Sequence, residues 1–187
     1  MPDMFVFAGC NGAGKSTLVD ELQIEYDELI NPDNFARDIN PHEPRKADLS
    51  AGKLAIAAIR GCLEERKSFA VETTFSGKYI LQQMAAAKKM GYQVHFYYIG
   101  LRDVQLHINR VRTRVLEGGH HIETEDIIRR YDVSLANLKY GVELGDTVVI
   151  LDNTKDEYEV LLEMQKGQLI YRAKNWPDWL INALGQF

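Results

Sequence analysis

The chain has 187 residues, 45% of them hydrophobic and 26% charged, with a formal net charge of −5 at pH 7. That size and balance imply one soluble domain with a substantial core, and the acidic surplus argues against a general nucleic-acid binder. Two cysteines, Cys10 and Cys62, offer no disulfide framework, and Met1-Pro2-Asp3 with the short apolar run behind it lacks the pattern of a signal peptide or membrane span, so a cytoplasmic protein with no membrane partner is expected.

The first element is an apolar strand, Met4 to Ala8, which runs straight into Gly9-Cys10-Asn11-Gly12-Ala13-Gly14-Lys15-Ser16-Thr17. This run fits the phosphate-binding pattern G-x-x-x-x-G-K-[ST], and an amphipathic helix carrying Leu18, Val19 and Leu22 follows it. The glycines allow the backbone to turn its amides onto phosphates. Lys15 has the reach to contact the terminal phosphates, and the Ser16 hydroxyl is a ligand for Mg2+. Gly9, Asn11, Gly12, Ala13, Gly14, Lys15, Ser16 and Thr17 are therefore the expected nucleotide-binding residues.

A weaker strand, Glu28 to Asn31, leads to Asn31-Pro32-Asp33. Asp33 lies on the same sheet edge as the phosphate loop, where a carboxylate accepts a proton from a substrate hydroxyl; the alternative is a turn or helix-cap aspartate after proline. Asp38 reads as a solvated helix residue. Ala51, Leu54, Ala55, Ala58, Ile59, Cys62 and Leu63 recur at helical steps, and Phe69-Ala70-Val71 is the next buried strand. Glu72, Thr73 and Thr74 stand at its mouth. They are candidates for substrate contact or, in the absence of a standard Walker B aspartate, for metal support.

Val94 to Ile99 is a further strand, followed by two charged helical patterns, Val104 to Leu116 and Thr124 to Tyr140, around Gly118-Gly119-His120-His121. They read as a helical-hairpin lid. Arg110 and Arg114 share a face of its first helix, Arg112 points elsewhere, and Arg129 and Arg130 lie on the second. Arginines held over a phosphate loop stabilise a transferring phosphoryl group. His120 and His121 either contact phosphate or sugar or cap the turn; at this spacing they make no metal site. The strand Thr147 to Leu151 ends at Asp152 and Asn153, which either border the adenine or form an ordinary turn. A β-hairpin turning at Lys166-Gly167 and a short helix from Trp176 to Leu184 close the chain.

Alternating strands and helices imply an α/β fold, a doubly wound parallel sheet with its ligand site at the carboxyl ends of the strands. One domain over 1–187 is expected, with the lid over about 103–140 and the C-terminal hairpin and helix over about 157–185. A nucleotide switch is the competing class. Against it, no guanine-reading Asn-Lys-x-Asp occurs, since Asn153-Thr154-Lys155-Asp156 has the wrong order.

These motifs together resemble the zeta toxin family of P-loop kinases. The resemblance rests on Ala8 to Thr17, Asn31-Pro32-Asp33, Phe69 to Thr74, Arg114 to Ile122, Arg129-Arg130-Tyr131 and Ser134 to Leu138, and it covers about Met4 to Asn153. It implies transfer of phosphate from ATP or GTP, with Mg2+, to a hydroxyl of a small metabolite such as UDP-N-acetylglucosamine. It also implies Asp33 as general base, Lys15 as phosphate ligand, Glu72 as a substrate contact, and Arg114 and Arg130, with Arg110, as the transition-state clamp. An antitoxin protein is the implied partner and a monomer the expected state. The stretch between Asp33 and Phe69 lacks an obvious counterpart of the elements that hold a nucleotide sugar. A metabolic or nucleoside kinase without a toxic role therefore stands beside the toxin reading.

Overall fold

The computed structural model describes residues 1–119, 121–155 and 157–185. In chain order the elements are β1 (Asp3–Ala8), α1 (Lys15–Leu22), β2 (Glu28–Ile30), α2 (Pro32–Ile39), a short 3-10 turn (Pro44–Ala47), α3 (Asp48–Glu65), β3 (Phe69–Thr73) and α4 (Lys78–Lys89). Then follow β4 (Gln93–Gly100), α5 (Val104–Leu116), α6 (Thr124–Leu144), β5 (Thr147–Asp152), β6 (Glu159–Gln165), β7 (Gln168–Arg172) and α7 (Asp178–Leu184).

The strands form one seven-stranded sheet in the order β2-β3-β1-β4-β5-β6-β7. The first five are parallel, and β6 and β7 extend the edge antiparallel to β5. The hairpin thus continues the central sheet. Its turn fits the residues that make it, because Lys166 and Gly167 both have positive φ (49° and 77°), the left-handed geometry of a two-residue hairpin loop.

Alternation along β1 sends Met4, Val6 and Ala8 to one face and Phe5 and Phe7 to the other. The first face is covered by α3, α4, α6 and α7 through Ile59, Met84, Leu138 and Trp179. On the second, Leu18 and Val19 of α1 pack on Phe5, Phe7, Ala70, Ile99 and Leu151. The chain leaves β1 toward β2 on one side, and leaves β3 toward β4 on the other. The crevice beyond the carboxyl ends of β1 and β3 is therefore the topological switch point of the sheet.

Only part of the α5–α6 hairpin overhangs that crevice. In α6, Ser134, Leu138 and Val142 are buried, and Asn137 Nδ2 donates to the Phe75 carbonyl (2.9 Å), so its second half is a core helix against β4. The overhanging part is anchored by Ile108, Val111, Ile122 and Ile127 packed on Cys10. Among the described residues no helix is long and apolar enough to cross a membrane.

Candidate active site

A cleft of about 850 Å3 opens at the switch point. The phosphate loop forms its floor, α2 and the 3-10 turn one wall, and the α5–α6 hairpin the other. The loop's shape depends on residues without a side chain. Gly9 has φ 145° and a Cβ there would overlap the Ile99 carbonyl; Gly14 has φ 101°, and a Cβ there would overlap Asn153 Nδ2 and crowd the Tyr158 hydroxyl.

Lys15 begins α1, and its Nζ donates to the carbonyls of Gly9 (2.8 Å) and Cys10 (3.3 Å). Desolvation holds its ammonium below the usual lysine range, against the opposing charges of Glu72 and Asp33. Ser16 Oγ donates to Glu72 Oε2 (2.8 Å), and Asn31 Nδ2 donates to Glu72 Oε1 (2.9 Å). Asn31 also caps α2, its Oδ1 accepting from the Asp33 amide (2.9 Å), with Pro32 at the first helical position. Asp33 therefore lies in the first turn of α2, exposed on the cleft wall.

Arg110, Arg114, Arg129 and Arg130 all line the cleft, whereas Arg112 lies against a separate apolar cavity with Ile108, Val111 and Leu116. Arg110 Nη2 donates to the Asn153 carbonyl (2.7 Å), and Arg130 Nη1 donates to Asn11 Oδ1 (3.1 Å). Arg129 is instead paired with Asp126 (3.0 Å). Among the remaining sequence-derived candidates, Asn11, Gly12, Gly14, Thr17, Thr73, Thr74 and Asn153 line the cleft, while Gly9 and Ala13 are buried beneath it. The Thr74 and Ser76 hydroxyls share a hydrogen bond (2.8 Å). His120 lies outside the described residues.

Two expectations change in character. Asp152 does not line the cleft: its Oδ1 accepts from the Thr154 amide (2.8 Å) and its Oδ2 from Trp179 Nε1 (2.8 Å), so both oxygens serve the fold. Glu72 is buried, with one oxygen accepting from Ser16 and the other from Asn31, so both oxygens are engaged by the protein rather than open to a substrate. The converging Ser16 hydroxyl and Glu72 carboxylate are hard oxygen donors of the kind that would suit Mg2+.

His107 and Tyr158, to which the sequence assigns no role, also belong to the site, and so does the side chain of Asn31 from the Asn31-Pro32-Asp33 motif. His107 is 1% exposed, and its Nδ1 bonds the Asn11 carbonyl (2.8 Å); because a carbonyl only accepts, Nδ1 carries the proton. Burial pushes the His107 pKa down to about 4, so the ring is neutral near pH 7. Tyr158 OH donates to the Gly14 carbonyl (2.7 Å), and Asn31 bridges Glu72 to Asp33. Burial raises the pKa of the Cys10 thiol, which keeps it protonated inside the loop.

A protein of Haemophilus influenzae, described as uncharacterized, is 41% identical over 123 residues, 66% of this chain and 87% of that protein. Among solved structures, the AvrRxo1-ORF1:-ORF2 crystal structure with ATP superposes with a TM-score of 0.73 at 16% identity, over 90% of this chain; the chain spans only 60% of the length it matches there. The PezAT chromosomal toxin-antitoxin system of Streptococcus pneumoniae gives 0.61 at 14% identity, over 100% of this chain and 80% of that one. A putative kinase of Chloroflexus aurantiacus gives 0.52 at 15%, over 70% and 78%. At such identities these likenesses show the fold, that of the P-loop kinases. The Zeta toxin family matches residues 1–161, most of the chain, and the protein belongs to it.

Proposed function

We propose that this chain transfers the γ-phosphoryl group of ATP to a hydroxyl of a small metabolite, with a nucleotide sugar such as UDP-N-acetylglucosamine as the leading acceptor. The observation that carries this reading is one unbroken line of hydrogen bonds. It runs from the Ser16 hydroxyl through Glu72 and the Asn31 side chain to the Asp33 amide, linking the metal side of the phosphate loop to a carboxylate at the cleft mouth. A nucleotide switch has no use for such a carboxylate, whereas a kinase needs one there to orient and deprotonate the attacking hydroxyl.

In this mechanism the loop amides and Lys15 hold the β- and γ-phosphates, while Ser16 and Glu72 would hold Mg2+. That ion, when bound, neutralises charge on the β- and γ-oxygens. The acceptor oxygen bonds to the γ-phosphorus as the bond from phosphorus to the β-γ bridging oxygen breaks. The hydroxyl proton passes to the Asp33 carboxylate, and ADP leaves. Arg114 and Arg130 face the moving group from the hairpin wall, and Arg110 closes the nucleotide end. An antitoxin that covers this cleft is the partner the reading implies.

The experiment is a mass-spectrometric search for a phosphorylated product after incubation with Mg-ATP and a panel of nucleotide sugars, sugars and nucleosides, with Lys15→Ala as blank. One added phosphate on UDP-N-acetylglucosamine supports the full reading. The same gain on another acceptor keeps the kinase and replaces the substrate. ATP binding with no modified acceptor across the panel refutes the kinase.

A further inference from the structure

The phosphate loop is held from behind by residues of the C-terminal quarter of the chain. Asn153 Nδ2 donates to the Ala13 carbonyl (2.8 Å), and Tyr158 OH donates to the Gly14 carbonyl (2.7 Å), which also accepts the α1 bond from the Leu18 amide (3.1 Å). Among the described residues no peptide bond is cis. In a trans peptide unit the C=O and N–H point in opposite directions. A donor that fixes the Ala13 carbonyl therefore aims the Gly14 N–H the opposite way, and one that fixes the Gly14 carbonyl does the same for the Lys15 N–H. Those are amides that a phosphate-binding loop must present to its ligand.

Asn153 is itself over-determined. Its N–H donates to the Gly100 carbonyl (2.9 Å), its carbonyl accepts from Arg110 (2.7 Å), and it is 9% exposed. The preceding residue, Asp152, is tied to α7 by Trp179 Nε1 (2.8 Å), and the Trp179 indole lies in the space where Gly100 has no side chain. Trp179 is 3% exposed and does not line the cleft. Helix α7 lies beyond the stretch that matches the family.

We infer that Asn153 and Tyr158 are positioning residues for the triphosphate, and that α7 acts on the same loop through the Trp179–Asp152 bond. The C-terminal segment then sets the direction of the loop amides as well as closing the sheet. This rests on the reading of the loop as a nucleotide site, but not on any acceptor.

The test is calorimetric titration of the full chain with Mg-tripolyphosphate and with Mg-ATP, no acceptor present, for the unaltered chain, Tyr158→Phe and Trp179→Phe, with thermal midpoints measured alongside. Tyr158→Phe removes only the hydroxyl, and both ligands should weaken by the same factor, about three- to tenfold. Trp179→Phe keeps a ring against Gly100 and touches no ligand; it should weaken both by about two- to threefold, the lower end of one lost hydrogen bond. A loss for ATP but not for tripolyphosphate would place Tyr158 on the base or ribose and overturn the inference. So would unchanged affinities in a folded Tyr158→Phe chain, or failure of the unaltered chain to bind tripolyphosphate. If Trp179→Phe lowers the thermal midpoint yet binds both ligands normally, the role of α7 is refuted.

Discussion

The floor of the cleft and the walls above it are built on different physical terms. On the donor side the phosphate loop is fixed by short, buried or half-buried bonds from distant parts of the chain: His107 to Asn11, Asn153 to Ala13, Tyr158 to Gly14. On the acceptor side the 3-10 turn meets the hairpin through exposed ion pairs, Arg45 to Glu123 (2.8 Å) and Arg45 to Asp126 (3.5 Å). Buried hydrogen bonds are costly to leave unmade, whereas exposed ion pairs contribute little and are screened by salt. On the proposed reading, the donor side is thereby pre-organised for one ligand, the triphosphate, and the acceptor side can adjust at little cost.

Asp33 is the sharpest probe of where the two sides meet. It sits on the acceptor wall, yet Asn31 and Glu72 tie its backbone to the loop. Asp33→Ala should lower turnover by roughly 100- to 10,000-fold, with ATP affinity nearly unchanged, measured as initial rate against calorimetric affinity. Loss of ATP binding in step with turnover would move Asp33 to the donor side and erase the proposed division.

The donor side also predicts a pH dependence. His107 is buried neutral with its pKa depressed from 6.5 to about 4. Between those values the unfolded chain binds the proton and the folded chain does not, so stability is present above pH 6.5 and drains away as pH falls toward 4. The loss from this one group approaches about 3 kcal/mol. Denaturant unfolding at pH 7 and pH 4.5 should show a smaller pH difference in His107→Gln than in the unaltered chain. Equal differences would mean that the α5 brace on the loop is not held by a neutral imidazole.

Glu72→Gln tests the link between the phosphate loop and α2. One of its two partners, Ser16 or Asn31, must lose an acceptor when an oxygen becomes an amide nitrogen. An apparent Mg2+ affinity weakened by about 10- to 100-fold is expected, read from the magnesium dependence of ATP binding. If only the acceptor KM moves, Glu72 is a substrate contact and the metal side must be rebuilt around other groups.

What the sequence shows of this site follows from how far apart the interacting residues lie. The loop is legible because glycine spacing and the Lys15-Ser16 pair are local, and the inward face of Arg110 and Arg114 follows from helical periodicity. Four of the five parallel strands are legible as apolar runs because their faces are covered, whereas three-residue β2, at the sheet edge with Glu28 and Leu29 half-buried, leaves only a weak signal. Asn153 is marked by its place at the end of β5, but its bond to the loop, like that of Tyr158, leaves no local trace, since each acts on a loop about 140 residues away. Asp152 reads as a nucleotide neighbour by position, but a tryptophan 27 residues on takes its carboxylate. In α6, lid and core share one continuous pattern, because an amphipathic helix looks the same whether its apolar face meets a sheet or another helix.

The smallest expected effect belongs to the acceptor wall. Arg45→Gln removes the ion pairs to Glu123 and Asp126, while Asp126 keeps Arg129 (3.0 Å). Exposed pairs are worth about 0.2–1 kcal/mol, so the acceptor KM should change by less than about fivefold and ATP affinity not at all. The change should also shrink as salt rises from about 0.05 to 0.5 M, over which the Debye length shortens several-fold. A large, salt-insensitive rise in KM would mean that Arg45 binds the acceptor directly. The acceptor side would then be built for a single ligand, like the phosphate loop, and the adaptable half of the cleft would have to be sought elsewhere, at the hydroxyls of Thr74 and Ser76.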